Sequence, residues 1–227
     1  METICPVPTA LTTVQNPACP ENIAQIQVII FQRASANWVF DSTAGKDVKL
    51  AASWTPLMTA VDNTKIVIAR NCNQVTIDPP TAITTGGNDN TTLNGRKLNT
   101  GFSSVELKGM FRSMPSEIIA QLKLLQYGEE LVWFGINQFG QIIGRDIYPG
   151  HPGEKVTGIP LFSPFFGDAG NEGFAKDDMA NFSFIMDYGW RSDLQVDSAG
   201  VQTSAYQLYL KKPSFDALSV LKPIQET

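Results

Sequence analysis

Charge is scarce in this chain. Asp, Glu, Lys and Arg make up only 17% of its 227 residues, against about 25% in ordinary soluble domains. Apolar residues still reach 43%, too many for a disordered segment. The rest of the surface is left to Asn, Gln, Thr and Ser, which another subunit can cover at small desolvation cost. Basic runs are missing as well, the densest being the pairs Arg96-Lys97 and Lys211-Lys212. A nucleic-acid reader needs a basic patch, because phosphate contacts supply most of its affinity. Specific nucleic-acid recognition is therefore not expected. A net charge of −5 suits DNA that passes without sticking.

Cysteine and histidine are almost absent. The three cysteines, Cys5, Cys19 and Cys72, are too few and odd in number for a disulfide scaffold, and reduced thiols suit a protein made in a cytoplasm. Neither a CxxC nor a His pair offers metal-ligand spacing, so no metal is expected. Residues Met1–Pro6 carry no basic or apolar signal region. The longest apolar run, Val28 to Phe31, is far short of the ~20 residues that span a bilayer. These absences predict a soluble product with no membrane anchor.

Catalytic signatures are equally thin. His151 is the single histidine; without a nucleophile and an orienting acid nearby it reads as an exposed loop residue. Ala44-Gly45-Lys46-Asp47 resembles a phosphate loop, but Phe40 and Asp47 stand where the pattern needs Gly and Ser or Thr. Asn88, Asp89 and Asn90 could offer oxygen ligands to calcium, yet no acid follows in register; side chains bonding their own backbone in a turn explain the same letters. Asp168, Glu172, Asp177 and Asp178 are interleaved with phenylalanines, as in a solvated loop anchored at an interface. No catalytic residue and no cofactor is expected, and an enzyme is the least favoured class.

What is present is strand pattern. Residues 1–20, rich in Pro and Thr, read as an extended arm. From Ile23 to Gln32, Ala24, Ile26, Val28 and Ile30 fall on one face, with Gln25 and Gln27 on the other. Ser53 is placed to cap a short helix running to about Val61. Strands are expected over 64–70, 75–77, 104–112, 130–136, 141–147, 155–162, 181–188 and 201–211, with a hairpin turn at Asn137–Gly140. A helix is predicted from Pro115 to Tyr127, its apolar stripe made by Ile118, Ile119, Leu122 and Leu125 and its stop by Gly128. Two long loops are expected, at 79–101 and 149–180, within a single β-rich domain over 21–227. The sum is a mainly β chain: a β-sandwich or barrel-like domain of about eight strands with one packed α-helix. Trp38, Trp54, Trp133 and Trp190 lie on or near apolar-periodic segments and are read as core; as an exposed platform they would favour a carbohydrate- or receptor-binding module.

Several segments together carry a resemblance: Cys5-Pro6-Val7-Pro8, Ile26 through Arg33, Trp54 with Leu57-Met58, and Gly86 through Gly95. Over residues 5–150 the chain resembles virion structural proteins of tailed phages of Bacteroidota, including the crAss-like group. Among those it looks most like the tail-tube-like ring proteins that stack beneath the portal. The resemblance implies a tail-tube-like sandwich flanked by a helix, joined edge to edge in a homo-oligomeric ring around a DNA-ejection channel. It implies neighbouring virion rings, portal or tail proteins as partners, non-specific passage of genomic DNA, and a place in the virion tail after assembly in the host cytoplasm. In such proteins a long loop between early strands reaches an adjacent subunit or ring. That assigns the subunit interface here to Gly86, Gly87, Asn88, Asp89, Asn90, Thr91, Thr92, Leu93 and Asn94, joined by Phe165 and Phe166. The stretch 149–180 exceeds what a minimal tube subunit needs and is expected to face another virion protein. A capsid-decorating or head–tail adaptor role is the structural alternative.

Overall fold

The computed structural model describes residues 23–85, 98–127, 130–149, 153–170, 178–187, 189–196 and 202–221. In chain order these form β1 (Ile26–Arg33), β2 (Phe40–Asp41), α1 (Ala51–Thr59), β3 (Val67–Ala69), β4 (Cys72–Asp78), β5 (Ala82–Thr85), β6 (Leu98–Phe102) and β7 (Val105–Arg112). They continue with α2 (Ser116–Gln126), β8 (Leu131–Asn137), β9 (Ile142–Asp146), β10 (Lys155–Thr157), β11 (Ile159–Gly170), β12 (Met179–Met186), β13 (Ser192–Val196), β14 (Gln202–Lys211) and α3 (Ala217–Val220).

β1 and β8 form the centre, paired antiparallel from Ile26↔Asn137 to Arg33↔Leu131. Both are apolar almost without interruption, and both are buried on two faces. Val28 and Ile30 point with Phe134 and Ile136 into one core. Ile29 and Phe31 point with Trp133 into another. The one-faced strand expected over 23–32 is corrected here: a strand covered on both sides reads as a continuous run, as in buried sheets. Ala24 lies outside the strand at φ 55°.

Two layers meet in β11. Its first residues, Ile159–Leu161, pair with β8, and from Phe162 onward it pairs with β12. β12 pairs with β7 and β7 with β4, all antiparallel. Between the layers, Phe111 stacks on Phe182 at 4.2 Å and Phe31 meets Phe166 edge-on at 5.2 Å. Each such ring taken out of water contributes roughly 1.5–3 kcal/mol. The helix α2 buries Leu122 in this core, with Ile118 and Leu125 packed against it, and Ile119 is buried as well, as the stripe predicts. Gly128 lies outside the described residues.

The second core lies on the other side of the β1–β8–β9 layer. Phe40, Trp54 and Phe134 pack there with ring centroids 4.5–5.7 Å apart. The helix α1 delivers Trp54 and Leu57 to it. This helix begins earlier than expected: Leu50 is its N-cap and Ser53 is buried inside it. Its start is set by the preceding turn, in which Leu50 N–H donates to the Asp47 carbonyl and Trp54 Nε1 to the Val48 carbonyl. Val61 is fully exposed beyond its end.

The fold is therefore mainly β and sandwich-like, as expected. The number of strands is corrected, since fourteen are formed among the described residues. Part of the excess is the two-residue β2 together with β13, for which no strand was expected. The rest lies in the two expected loops. The 79–101 stretch contains β5 and β6, and 149–180 contains β10, all of β11 and the start of β12. Pro160 and Pro164 read as breakers, yet Pro is tolerated at strand starts and bulges, and the β11 register shifts between Phe162 and Phe165. The arm 1–20 and His151 lie outside the described residues.

Candidate assembly surface

Among the described residues, strands β5 and β6 pair only with each other, separate from the large sheet. Ser103 N–H donates to the Thr81 carbonyl, and Thr81 N–H to Ser103 Oγ, each at 2.8 Å. These bonds close the base of the ribbon. Further out, Thr100 Oγ1 donates to the Ile83 carbonyl at 3.0 Å. Residues Thr81–Thr84 are all exposed, and Ile83 and Phe102 show 51% and 52% of their surface. A two-stranded ribbon has marginal stability by itself. Here it is anchored at its base and offers apolar side chains to solvent. Gly86 through Asn94, assigned to an interface, lie outside the described residues.

Phe165 and Phe166, assigned together, are separated by the structure. Phe166 is core, only 4% exposed, whereas Phe165 is half exposed. The assignment of Phe166 to a surface is thus corrected. Strand alternation sends neighbours to opposite faces, and the bulge at Ser163, with φ 48°, sets which of the two turns inward. Phe162 opposite Ile185 and Phe165 opposite Ser183 lie on the solvent face of β11–β12. That face continues onto β7 with exposed Glu106, Lys108 and Arg112. Lys108 Nζ pairs with Asp78 at 2.6 Å.

Unpaired backbone marks the borders of the sheet. Among the described residues, β4 pairs only with β7, β13 only with β14, and β3 only with β1. Such borders are pairing templates unless blunted. β4 is blunted by a bulge between Asn73 and Thr76, where Gln74 takes φ 51°.

One ion network joins the second core to its rim, and nothing in the sequence pattern announced it. Glu154 Oε1 accepts from Lys49 Nζ at 2.8 Å and Lys211 Nζ at 2.6 Å, while Oε2 accepts from the Tyr209 hydroxyl at 3.1 Å. Burial opposes the Glu154 charge, but the two lysine bonds outweigh it and hold the carboxyl below its usual value. Burial, then the Glu154 charge, raises the Tyr209 hydroxyl, and burial raises the nearby Asp146. The network ties β10 to β14 and to the 47–50 turn. Lys49, Lys211 and Tyr209 fill most of the about four lone-pair sites of the carboxylate and favour its ionised form, so it serves as a structural counter-ion to the two lysines.

The remaining candidates fall into place around this. Trp54, Trp133 and Trp190 are buried, as expected of core, and Trp38 is half-buried under Lys46, 4.5 Å from the ring centroid. Cys72 is buried and its thiol is pushed up to about 12 by that burial. Asp168 is exposed and paired with Lys123. Among the described residues, no group of His, Cys, Asp or Glu is spaced to hold a metal, and no helix is long and apolar enough to cross a membrane. A shallow depression of about 390 Å³ is lined by Gln27, Val28, Arg70, Asn71, Gln138 and Leu218. No protein-family model, no curated protein and no solved structure matches the chain.

Proposed function

We propose that this chain is a structural subunit that assembles with copies of itself into a ring, and that the ring forms part of the DNA-ejection channel of a phage tail. The observation that carries the self-assembly reading is the β5–β6 ribbon, which stands apart from the large sheet and exposes Ile83 and Phe102. A ribbon without a core of its own gains stability by lying on another surface. The bare borders at β13 and β3 add to this, because pairing them across subunits satisfies backbone groups that a monomer leaves to water. Low charge makes such burial cheap, and a net −5 keeps a channel from holding DNA. The placement in a phage tail rests on the resemblance over residues 5–150.

Mass photometry or analytical ultracentrifugation of the purified chain tests the reading. A closed oligomer of fixed subunit number is expected. Removing residues 82–102 and joining the ends with a short Gly-Ser linker is expected to leave a folded protein that assembles poorly. A wild-type chain that stays monomeric at every concentration refutes self-assembly. An oligomer isolated from particles but located on the capsid surface refutes the tail placement.

A further inference from the structure

β1 has a neighbour on both sides over only part of its length. β3 pairs with it at Ile29↔Ala69, Ile30↔Ile68 and Phe31↔Val67, and there the ladder stops. Asn71 takes φ 56° and turns the chain away. Its carbonyl accepts the Arg112 N–H at 3.0 Å, and β4 then pairs with β7 in the other layer. Among the described residues, no strand therefore continues beside the opening residues of β1. Gln27 is the extra residue of a bulge between Ile26 and Val28 and has no partner in either ladder. The depression of about 390 Å³ lies here, lined by Gln27 and Val28 of β1 and by Arg70 and Asn71 of the departing chain. Gln138 and Leu218 line both it and a second depression of about 300 Å³, so the two adjoin as one groove.

The lining of the first depression carries one cation and no acid. Arg70 is half-buried and has no ion-pair or hydrogen-bonded partner among the described residues. The side chains of Gln27, Asn71 and Gln138 are likewise unbonded there, and each carboxamide offers both donors and an acceptor. In the second depression Lys212 and Asp216 offset each other in charge. We infer that the groove binds an extended peptide segment of another protein, added as a strand beside the opening of β1, with an Asp or Glu side chain of that segment on Arg70. Strand addition draws affinity from main-chain hydrogen bonds and specificity from the sites that meet alternate side chains. The carboxamides suit peptide groups, Leu218 gives an apolar wall, and a guanidinium takes a carboxylate in two-pronged geometry. The groove runs on past Gln138, so its occupant passes through instead of ending at Arg70. That favours a side-chain carboxylate over a chain terminus. The inference goes beyond the ring reading and does not depend on it.

The test pans a phage-displayed library of random peptides on the full chain. Enriched peptides are expected to carry an Asp or Glu among residues of high strand propensity and to lack proline in the bound stretch. Synthetic copies, amidated at their C-termini, are then titrated by fluorescence polarisation. Arg70→Gln is expected to weaken binding about tenfold. Replacing the peptide's acid by its amide should weaken it equally, with no further loss when the two changes are combined. Gln138→Trp, on an exposed turn, fills the passage between the two depressions and should weaken binding as much without lowering the melting temperature. Should Arg70→Gln destabilise the fold, Gln138→Trp and the amide peptide carry the test. N-methylation of alternate peptide amides should abolish binding, because it removes main-chain donors. Enrichment without acids, or affinity indifferent to both variants, overturns the inference. So does tolerance of N-methylation at every position, which leaves no added strand. Affinity that needs a free peptide C-terminus moves the carboxylate to a chain end and overturns it. Self-association weakened by Arg70→Gln while peptides bind unchanged makes a second copy the occupant and overturns it equally. A wild type that never oligomerises yet binds peptides in this way sinks the ring reading alone.

Discussion

Replacing Glu154 by Gln keeps the size and shape of the side chain and removes its charge. The carboxylate accepts two ammonium bonds, from Lys49 and Lys211, and one hydroxyl bond from buried Tyr209. A hydrogen bond to a charged group is worth ~1.5–3 kcal/mol. Both lysine side chains are about a third exposed, at 34% and 33%, so water screens much of that value. A neutral amide also turns an N–H donor toward donors. The expected net loss is about 2 kcal/mol, less than the two bonds summed. For a chain of this length it corresponds to a melting temperature lower by ~4–8 °C at pH 7. The pH dependence gives the test its sign. Glu154 is held below its ordinary value of 4.5 when folded, so its contribution is present above that pH and is lost as pH falls through the folded value. Asp41 is lowered to about 2 by Thr43 and Lys155 in both proteins and cancels in the difference; Asp146, raised by burial and in lesser part by the Glu154 charge, is relieved of that second part in the variant and gives back a little of the gap at pH 7. Melting followed by circular dichroism from pH 7 to pH 3 should show the two curves converging on acidification. A gap absent at pH 7, or one that widens as acid is added, refutes the reasoning.

Two further perturbations follow from the packing. Asn137 is buried; its side chain donates to the Ile23 carbonyl at 3.1 Å and accepts from Phe139 and Gln141 N–H at 3.0 Å each. Asn137→Ala strips the β8–β9 turn of these bonds and is expected to cost about 2–3 kcal/mol, read as a lower urea midpoint with unchanged slope; a midpoint equal to wild type refutes it. In a Cys5→Ser, Cys19→Ser background, the buried Cys72 thiol, pushed up to about 12, should resist a thiol reagent at pH 8 and react only on unfolding. Rapid modification of the native protein would contradict its burial.

Local pattern made some of this architecture readable and left other parts hidden. The stripe of α2 and the hairpin at Asn137–Gly140 are short-range signals, and both formed where periodicity and turn chemistry placed them; Gly140 takes φ 74°, which the turn requires. The part of β11 beyond Phe162 was concealed by Pro164 and by a bulge that reverses which phenylalanine faces the core. The β5–β6 ribbon was legible as part of an unusual stretch but not as strands, because its described side chains lie largely in solvent and show no one-sided apolar alternation. Glu154 and Lys49 lie 105 positions apart, and Arg145 meets Tyr206 only because β9 and β14 are neighbours in the sheet. Pairings of that kind are products of topology, and one-dimensional spacing does not encode them.

The passage of β11 from one layer into the other has a mechanical consequence. Its opening residues are hydrogen-bonded to β8 and its later ones to β12, so the two halves of the sandwich share a common thread instead of merely resting face to face. Sliding one layer past the other means tearing that strand from one of its neighbours. Such a subunit transmits a push or pull as a stiff block, and its slowest amide exchange should cluster where the thread crosses.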